Sequence, residues 1–238
     1  MGELWAVVLA AGEGKRMNSK LPKVLHLLCG RTMLDYILES AAAVTDNIFI
    51  VVGHGASLVQ KTAGDGWRYV LQREQLGTGH AVKEALVHLP DQGTLLVLSG
   101  DTPLLEEKYL EELVKQHQGS ACTVATTELI NPDGYGRIIK DSEQQIKKIV
   151  EDKDASIEEK QIKEINTGIY CFNIGLLKQY LPLLKTDNKQ NEYYLTDVIA
   201  YLRNDGYSVE SFHINDPRIG LGINNRIQLA EAEAMLRD

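Results

Sequence analysis

The chain has 238 residues, 44% hydrophobic and 24% charged, with a formal net charge of −8. A chain of this size and ordinary globular composition buries roughly 70–75% of its unfolded surface and needs no staples, whether as one large α/β domain or two small ones. The acidic balance argues against a nucleic-acid or membrane-surface binder, so any phosphate ligand has to be met by cations gathered locally.

The start, "MGELWAVVLAAG", has no basic region ahead of its short apolar run, and no apolar stretch is long enough to cross a bilayer. It is therefore not a signal peptide, and a cytoplasmic location is expected. "LWAVVLAA" reads as a continuous apolar strand. "TMLDYILESAAAV" has helical spacing at Met33, Leu34, Ile37, Leu38 and Ala41. There follow a strand "NIFIVVG", a helix "SLVQKTA", a strand "WRYVLQ", a helix "GTGHAVKEALVHL", a strand "TLLVLSGD" and a helix "LEEKYLEELVKQH". Strands that are apolar throughout, alternating with helices, predict a parallel sheet covered on both faces.

After Gly119 the pattern becomes mixed. "ACTVATTEL" reads as a strand, "YGRIIKD" and "QIKKIVED" as a hairpin around "DSEQ", and "INTGIYCFN" as another strand. "EYYLTDVIAYLRNDG" reads as a helix ended by Gly206, "YSVESFHI" as a strand and "NRIQLAEAEAML" as a closing helix. The charge run Glu151–Asn166 reads as a solvated surface helix with flanks, and its "DKD" triplet falls at that helix's start. No linker or internal repeat divides the chain, so one continuous fold with an added lobe is expected. Cys29, Cys122 and Cys171 are far apart and form no CxxC pair, which fits buried thiols in a reducing compartment.

Three places can carry chemistry. In "LAAGEGKRMNSKLPK", Gly12 and Gly14 follow a strand and can form an anion nest, with Arg16, Lys20 and Lys23 behind them. The segment lacks GxxxxGK[ST], and Met17 stands where a dinucleotide fingerprint needs glycine. From spacing alone, an ordinary exposed basic loop is an equal alternative. In "VLSGDTPLL", Asp101 lies at a strand's carboxyl end, where it can hold Mg²⁺ beside phosphates; the other reading is a helix cap by Asp101 or Thr102 with Pro103 in the first turn. In "LQREQLGTGHAV", Gln72 offers a donor and an acceptor that suit a pyrimidine edge, and Gly77 and Gly79 expose backbone around Thr78. His80 falls in the helix start and reads as a packed or capping side chain.

Together, "LAAGEGKRMNSKLPKVLH", "EQLGTGHAV", "SGDTPL", "GYGRI", "EINTGIY", "NEYYLTD" and "GINNR" resemble the uridyltransferase domain of the bacterial bifunctional N-acetylglucosamine-1-phosphate uridyltransferase/glucosamine-1-phosphate acetyltransferases. The resemblance spans Leu9 to Arg226. It implies a Rossmann-like nucleotidyltransferase fold, α/β, with a mostly parallel central sheet and a smaller mixed sugar-binding lobe. Residues 1–119 would form the nucleotide-binding lobe and 120–238 the sugar lobe with its closing helix, all in a single domain.

The resemblance further implies that Leu9, Ala10, Ala11 and Gly12 line the nucleotide, with Gly14, Arg16 and Lys23 around its phosphates. Gln72, Gly77 and Thr78 would hold uracil, and Ser99 and Gly100 would border the ribose and sugar. Gly136, Glu151, Asn166, Tyr194 and Thr196 would contact N-acetylglucosamine, and Asp101 and Asn224 would bind Mg²⁺. The substrates would be UTP and N-acetylglucosamine 1-phosphate, the products UDP-N-acetylglucosamine and pyrophosphate. Arg16, Lys23 and Asp101 would carry catalysis, with no general base. The hexapeptide-repeat β-helix of these enzymes, which bears the acetyltransferase, is not expected in this chain, and no oligomer is implied. A nucleotidyltransferase for another sugar 1-phosphate, or a non-catalytic UDP-sugar-binding module, is the alternative.

Overall fold

A computed structural model describes residues 3–237. Its first half alternates as β1 (Leu4–Ala10), a small ribbon of β2 (Leu27–Leu28) and β3 (Arg31–Thr32), α1 (Met33–Ala42), β4 (Ile48–Val52), α2 (Ala56–Ala63), β5 (Arg68–Leu71), α3 (Thr78–Leu86), β6 (Thr94–Ser99) and α4 (Glu107–Gln116). The second half adds β7 (Cys122–Glu128), β8 (Arg137–Lys140), β9 (Ile146–Val150), β10 (Glu164–Asn173), α5 (Ile174–Tyr180), α6 (Asp197–Asn204), β11 (Val209–His213) and α7 (Arg226–Arg237).

One sheet runs through both halves in the order β11-β7-β10-β6-β1-β4-β5, and within that path only β10 runs against the rest. The β8–β9 hairpin joins its margin where Ile165 of β10 faces Arg137. Both faces are covered at its centre, which is why β1, β4 and β6 carry no polar alternation. Val7, Val51 and Val97 point to a core with Val82 and Ala85 of α3, Leu177 of α5 and Val198 and Leu202 of α6. Val8, Ile50 and Leu98 point the other way, onto Leu34 and Ile37 of α1, Val59 of α2 and Leu110 of α4.

Helix α1 starts where predicted, on a reciprocal cap. The Asp35 N–H donates to Thr32 Oγ1 at 3.1 Å, and the Thr32 N–H donates to Asp35 Oδ2 at 2.9 Å. An eight-residue helix such as α6 is not stable alone. Its buried Val198, Ile199 and Leu202 each gain about 1.5–3 kcal/mol from leaving water.

Two helical expectations fail. Residues 151–163 form turns and a single 3-10 turn at Glu159–Gln161, not a helix. Polar side chains bond the local backbone instead: the Ser156 N–H donates to Glu159 Oε2 at 2.9 Å and the Glu159 N–H to Ser156 Oγ at 3.2 Å, the competition that disfavours helix interiors. The "DKD" triplet therefore follows β9 directly rather than opening a helix. The helix expected over 192–206 begins only at Asp197, because Tyr193 is engaged elsewhere. Its N–H donates to Leu76 O and its carbonyl accepts from Gly79, both at 2.8 Å. Helix α5, capped by the Asn173 side chain on the Leu176 N–H at 3.0 Å, was not foreseen.

Cys122 and Cys171 are buried and Cys29 is exposed, all three as free thiols. Burial pushes the Cys122 and Cys171 thiols up. Among the described residues no helix is long and apolar enough to cross a membrane.

Candidate active site

Strand order reverses between β1 and β6, whose carboxyl ends lie side by side. Ligands of open α/β sheets sit outside such a switch point. Here an open cavity of about 630 Å³ is lined by Leu9, Ala10, Ala11, Gly12, Gly14, Lys23, Gln72, Gly77, Thr78, Ser99 and Asp101, with Gln75 and Glu192 joining them. Gly100 lies behind this wall. Its N–H donates to Leu9 O at 2.9 Å, and a side chain there would come within 2.8 Å of that oxygen.

The glycine loop turns at Gly14, which has φ +66° and opens the 3-10 turn Lys15–Met17. A Cβ on Gly14 would sit 2.7 Å from Lys23 Cβ, so glycine is what lets the loop lie against the lysine. The Lys23 ammonium is ion-paired with Asp101 Oδ2 and donates to Asn224 Oδ1 at 3.0 Å. Asn224 arrives by a turn stitched to the same place: the Ile223 N–H donates to Asp101 O at 2.8 Å, and Asn224 Nδ2 donates to Gly222 O at 3.0 Å. Arg226, opening α7, donates from Nε to Met17 O at 3.2 Å and ties this turn to the glycine loop. The capping alternative for Thr102 is not realised, since its hydroxyl donates back to Ser99 O at 2.9 Å and α4 begins only at Glu107.

Asp101 and Asn224 thus aim one carboxylate and one amide oxygen at a single cation, the ammonium of Lys23. Two hard oxygen donors suit a divalent cation that completes its shell with water and substrate oxygens. Among the described residues no cluster of three or more His, Cys, Asp or Glu could hold a metal without such help.

Of the residues expected around the sugar, Glu151 opens onto a separate cavity, and Gly136, Asn166 and Thr196 lie against Glu151 or its neighbours without lining it. This second cavity, of about 360 Å³, is lined by Arg16, Gly134, Glu151, Asp152, Lys153 and Gln190. Arg16, expected beside the nucleotide phosphates, opens onto this cavity. Glu151 accepts from Thr196 Oγ1 at 3.1 Å. Burial raises its carboxyl above the usual range, the Thr196 bond opposes that, and Asp197, Asp154 and Glu192 add to the rise. Gly136 lies between Glu151 and Asn166, where a Cβ would be 3.6 Å from Glu151 Oε2 and 3.5 Å from Asn166 Cβ. Asn166 donates from Nδ2 to the Tyr170 hydroxyl at 2.6 Å and accepts from the Gly168 N–H at 3.1 Å. The hydroxyl of buried Tyr194 is already engaged, accepting from Gln190 at 2.8 Å and donating to Asp154 Oδ2 at 3.1 Å.

Several residues here were not singled out from sequence. Arg137 is fully buried, bonded to the Tyr135 carbonyl and at 3.3 Å to Asp152, the first acid of "DKD". It holds the 135–136 turn against the end of β9, and its Nε finds no partner among the described residues. The Tyr135 hydroxyl is pushed up by burial and by Asp101, with a Gly222 backbone bond and Arg16 opposing. The only sequence signal for these was their place inside the quoted motifs. His80, by contrast, reads from sequence as a packed or capping side chain, and its Nδ1 lies 3.0 Å from Gln72 Nε2.

A switch-point cavity with a glycine loop, a lysine and a pair of metal-type oxygens defines the nucleotidyltransferase class of α/β proteins. The chain belongs to the MobA-like NTP transferase domain family, whose profile matches residues 6–147. It is 48% identical over 238 residues to the bifunctional protein GlmU of Alkaliphilus metalliredigens, covering 99% of this chain and 52% of the relative. It is 44% identical over 236 residues to the bifunctional protein GlmU of Clostridioides difficile, covering 98% and 51%. The chain thus spans about half the length of these curated relatives. The fold also matches a crystal structure of a Bacillus anthracis protein described as a glucose-1-phosphate thymidylyltransferase, with a TM-score of 0.77 over 99% of this chain and 96% of that one, at 17% identity.

Proposed function

We propose that the chain transfers the uridylyl group of UTP to N-acetylglucosamine 1-phosphate, giving UDP-N-acetylglucosamine and releasing pyrophosphate, in the cytoplasm. The observation that carries this reading is the meeting of Lys23, Asp101 and Asn224 where Lys23 and Asp101 line the nucleotide cavity beside the glycine loop. Identity of 44–48% to bifunctional GlmU proteins along nearly the whole chain supports the choice of substrates. In this reading residues 1–119 hold the nucleotide and residues 120–238 hold the sugar.

The attacking atom is an oxygen of the sugar phosphate. With a second pKa of about 6, that phosphate is largely dianionic at neutral pH, so no side chain has to remove a proton. The obstacle is repulsion between two anions. Lys23 neutralises charge at the α-phosphate, and the backbone N–H groups of the Gly12–Gly14 loop take up the departing pyrophosphate. Arg16, opening onto the sugar side, holds the incoming phosphate in line for attack. Asp101 and Asn224 would hold Mg²⁺, which when bound supplies further charge neutralisation between the two phosphates. Gln72, Gly77 and Thr78 hold uracil, and Ser99 and Gly100 border the ribose. Glu151, Asn166, Gly136 and Thr196 hold the sugar, with Tyr194 supporting them through Gln190 and Asp154.

The test is pyrophosphate release from each of the four common nucleoside triphosphates with a panel of sugar 1-phosphates, with and without Mg²⁺. Turnover should be greatest with UTP and N-acetylglucosamine 1-phosphate, and Asp101→Asn should lower it by about 10²–10³-fold while the chain stays folded. Greatest turnover with a different sugar phosphate or nucleotide reassigns the substrate. Binding of UDP-N-acetylglucosamine without any turnover overturns the enzyme reading.

A further inference from the structure

We infer that His80 is a positioning residue that sets the preference for uracil, by fixing which end of the Gln72 amide is offered to the nucleotide base; this rests on the uridylyl-transfer reading above. Gln72 is 3% exposed and lines the nucleotide cavity. Its Nε2 lies 3.2 Å from the Gly77 carbonyl oxygen and 3.0 Å from His80 Nδ1. A carbonyl oxygen only accepts, so the amide's NH₂ end has to face it. One N–H goes to Gly77 and the other to His80 Nδ1, which makes Nδ1 an acceptor. The ring proton is then on Nε2, where Glu84 Oε1 waits at 3.2 Å. Ring tautomer, amide orientation and carboxylate position agree, and Tyr193 stacks on the imidazole with centroids 6.4 Å apart.

With both N–H groups used, Gln72 Oε1 accepts from no group among the described residues. The side chain therefore presents an acceptor to whatever occupies the cavity. Uracil carries a hydrogen on N3 and can donate to it. Cytosine has a lone pair on N3 and meets it acceptor to acceptor. Two hydrogen bonds oppose a flip of the amide. Without His80 one remains, and the flipped amide, which would favour cytosine, becomes several-fold more populated.

Three measurements test this. The tautomer is read from ¹⁵N–¹H correlations of the imidazole in the whole chain: the Nε2–H form is expected, and a dominant Nδ1–H form overturns the inference. Affinities for UTP and CTP are measured by titration calorimetry for the wild type, His80→Leu, His80→Asn and Glu84→Leu. His80→Leu should cut the UTP-over-CTP preference at least fivefold, mainly by improving CTP relative to UTP. His80→Asn, which keeps an acceptor at the δ position, should retain most of the preference. Glu84→Leu, at a more exposed position and expected to fold whatever His80→Leu does, should lower it by a smaller factor. An unchanged ratio in both leucine variants, or equal weakening of both nucleotides, overturns the inference and leaves His80 a packing residue. These readouts need no turnover, so an inactive wild type that prefers UTP would defeat the enzymatic reading and leave the role of His80 standing.

Discussion

Replacing Lys23 by methionine should move two quantities in opposite directions. The Lys23 ammonium occupies the position between Asp101 and Asn224 where a divalent cation would be held. A metal ion entering the ligand-free site must displace it and break its ion pair. Unit charges in contact near a protein surface attract by about 4 kcal/mol, whereas fully exposed pairs contribute about 0.2–1 kcal/mol. The two side chains are 17% and 18% exposed, so a net value of about 1–2 kcal/mol is appropriate, a factor of about 5–30. Methionine keeps the alkyl stem that packs against Gly14 and removes only the charge. Lys23→Met should therefore bind Mn²⁺ about 5–30-fold more tightly in the absence of nucleotide, read by electron paramagnetic resonance titration. The same variant should lose about 10²–10³ in turnover, because nothing then neutralises the α-phosphate. Unchanged or weaker Mn²⁺ affinity would show that the lysine does not stand where the ion binds.

Further expectations concern the walls of the two cavities and the core. Arg137→Met leaves Asp152 without its buried partner; because Asp152 is itself 24% exposed, the loss should fall at or below the lower end of the range for broken buried pairs, about 2–3 kcal/mol by urea unfolding. The KM for the sugar phosphate should rise more than that for UTP, and Arg137→Lys should recover only part of both. Gly77→Ala places a methyl 2.7 Å from Tyr193 O at φ +105°; a strain of about 1–3 kcal/mol should appear as a lowered urea midpoint and a raised KM for UTP. His117 is buried, and burial lowers its pKa from 6.5 to about 4. Between those values the unfolded chain takes up the proton and the folded chain does not, so stability should fall as pH drops from about 6.5 to 4, by at most about 3 kcal/mol. His117→Gln should flatten that part of the pH–stability curve.

The parallel sheet was legible because strands buried on both faces leave an unmistakable apolar record, as in β1, β4 and β6. The loop after β1 was legible as a loop, since glycines directly behind such a strand end it, whereas spacing alone gave an exposed basic loop equal standing with an anion nest. The 151–163 segment was misread because its charges looked like a solvated helix face, while Ser156 and Glu159 use theirs to tie local turns. The late start of α6 depends on Tyr193 bonding with Leu76 and Gly79, a pairing no local window contains. His80 was set aside for a comparable reason. Its partner Gln72 is eight positions away and reaches it only because the chain reverses at Gly77. Arg137 lies in a segment read only as a hairpin arm, and the fold reveals that its side chain is enclosed.

The contact between Lys23 and Asn224 joins positions 201 residues apart. At about 5–20 residues per second, a ribosome needs roughly 10–40 s to make the intervening chain. Asp101 follows Lys23 by 78 residues, so for the later part of that interval Lys23 can already neutralise the acid while the last oxygen donor has yet to emerge. A nascent chain that stalls before Asn224 therefore has the Lys23–Asp101 ion pair but not the amide oxygen that completes the cluster.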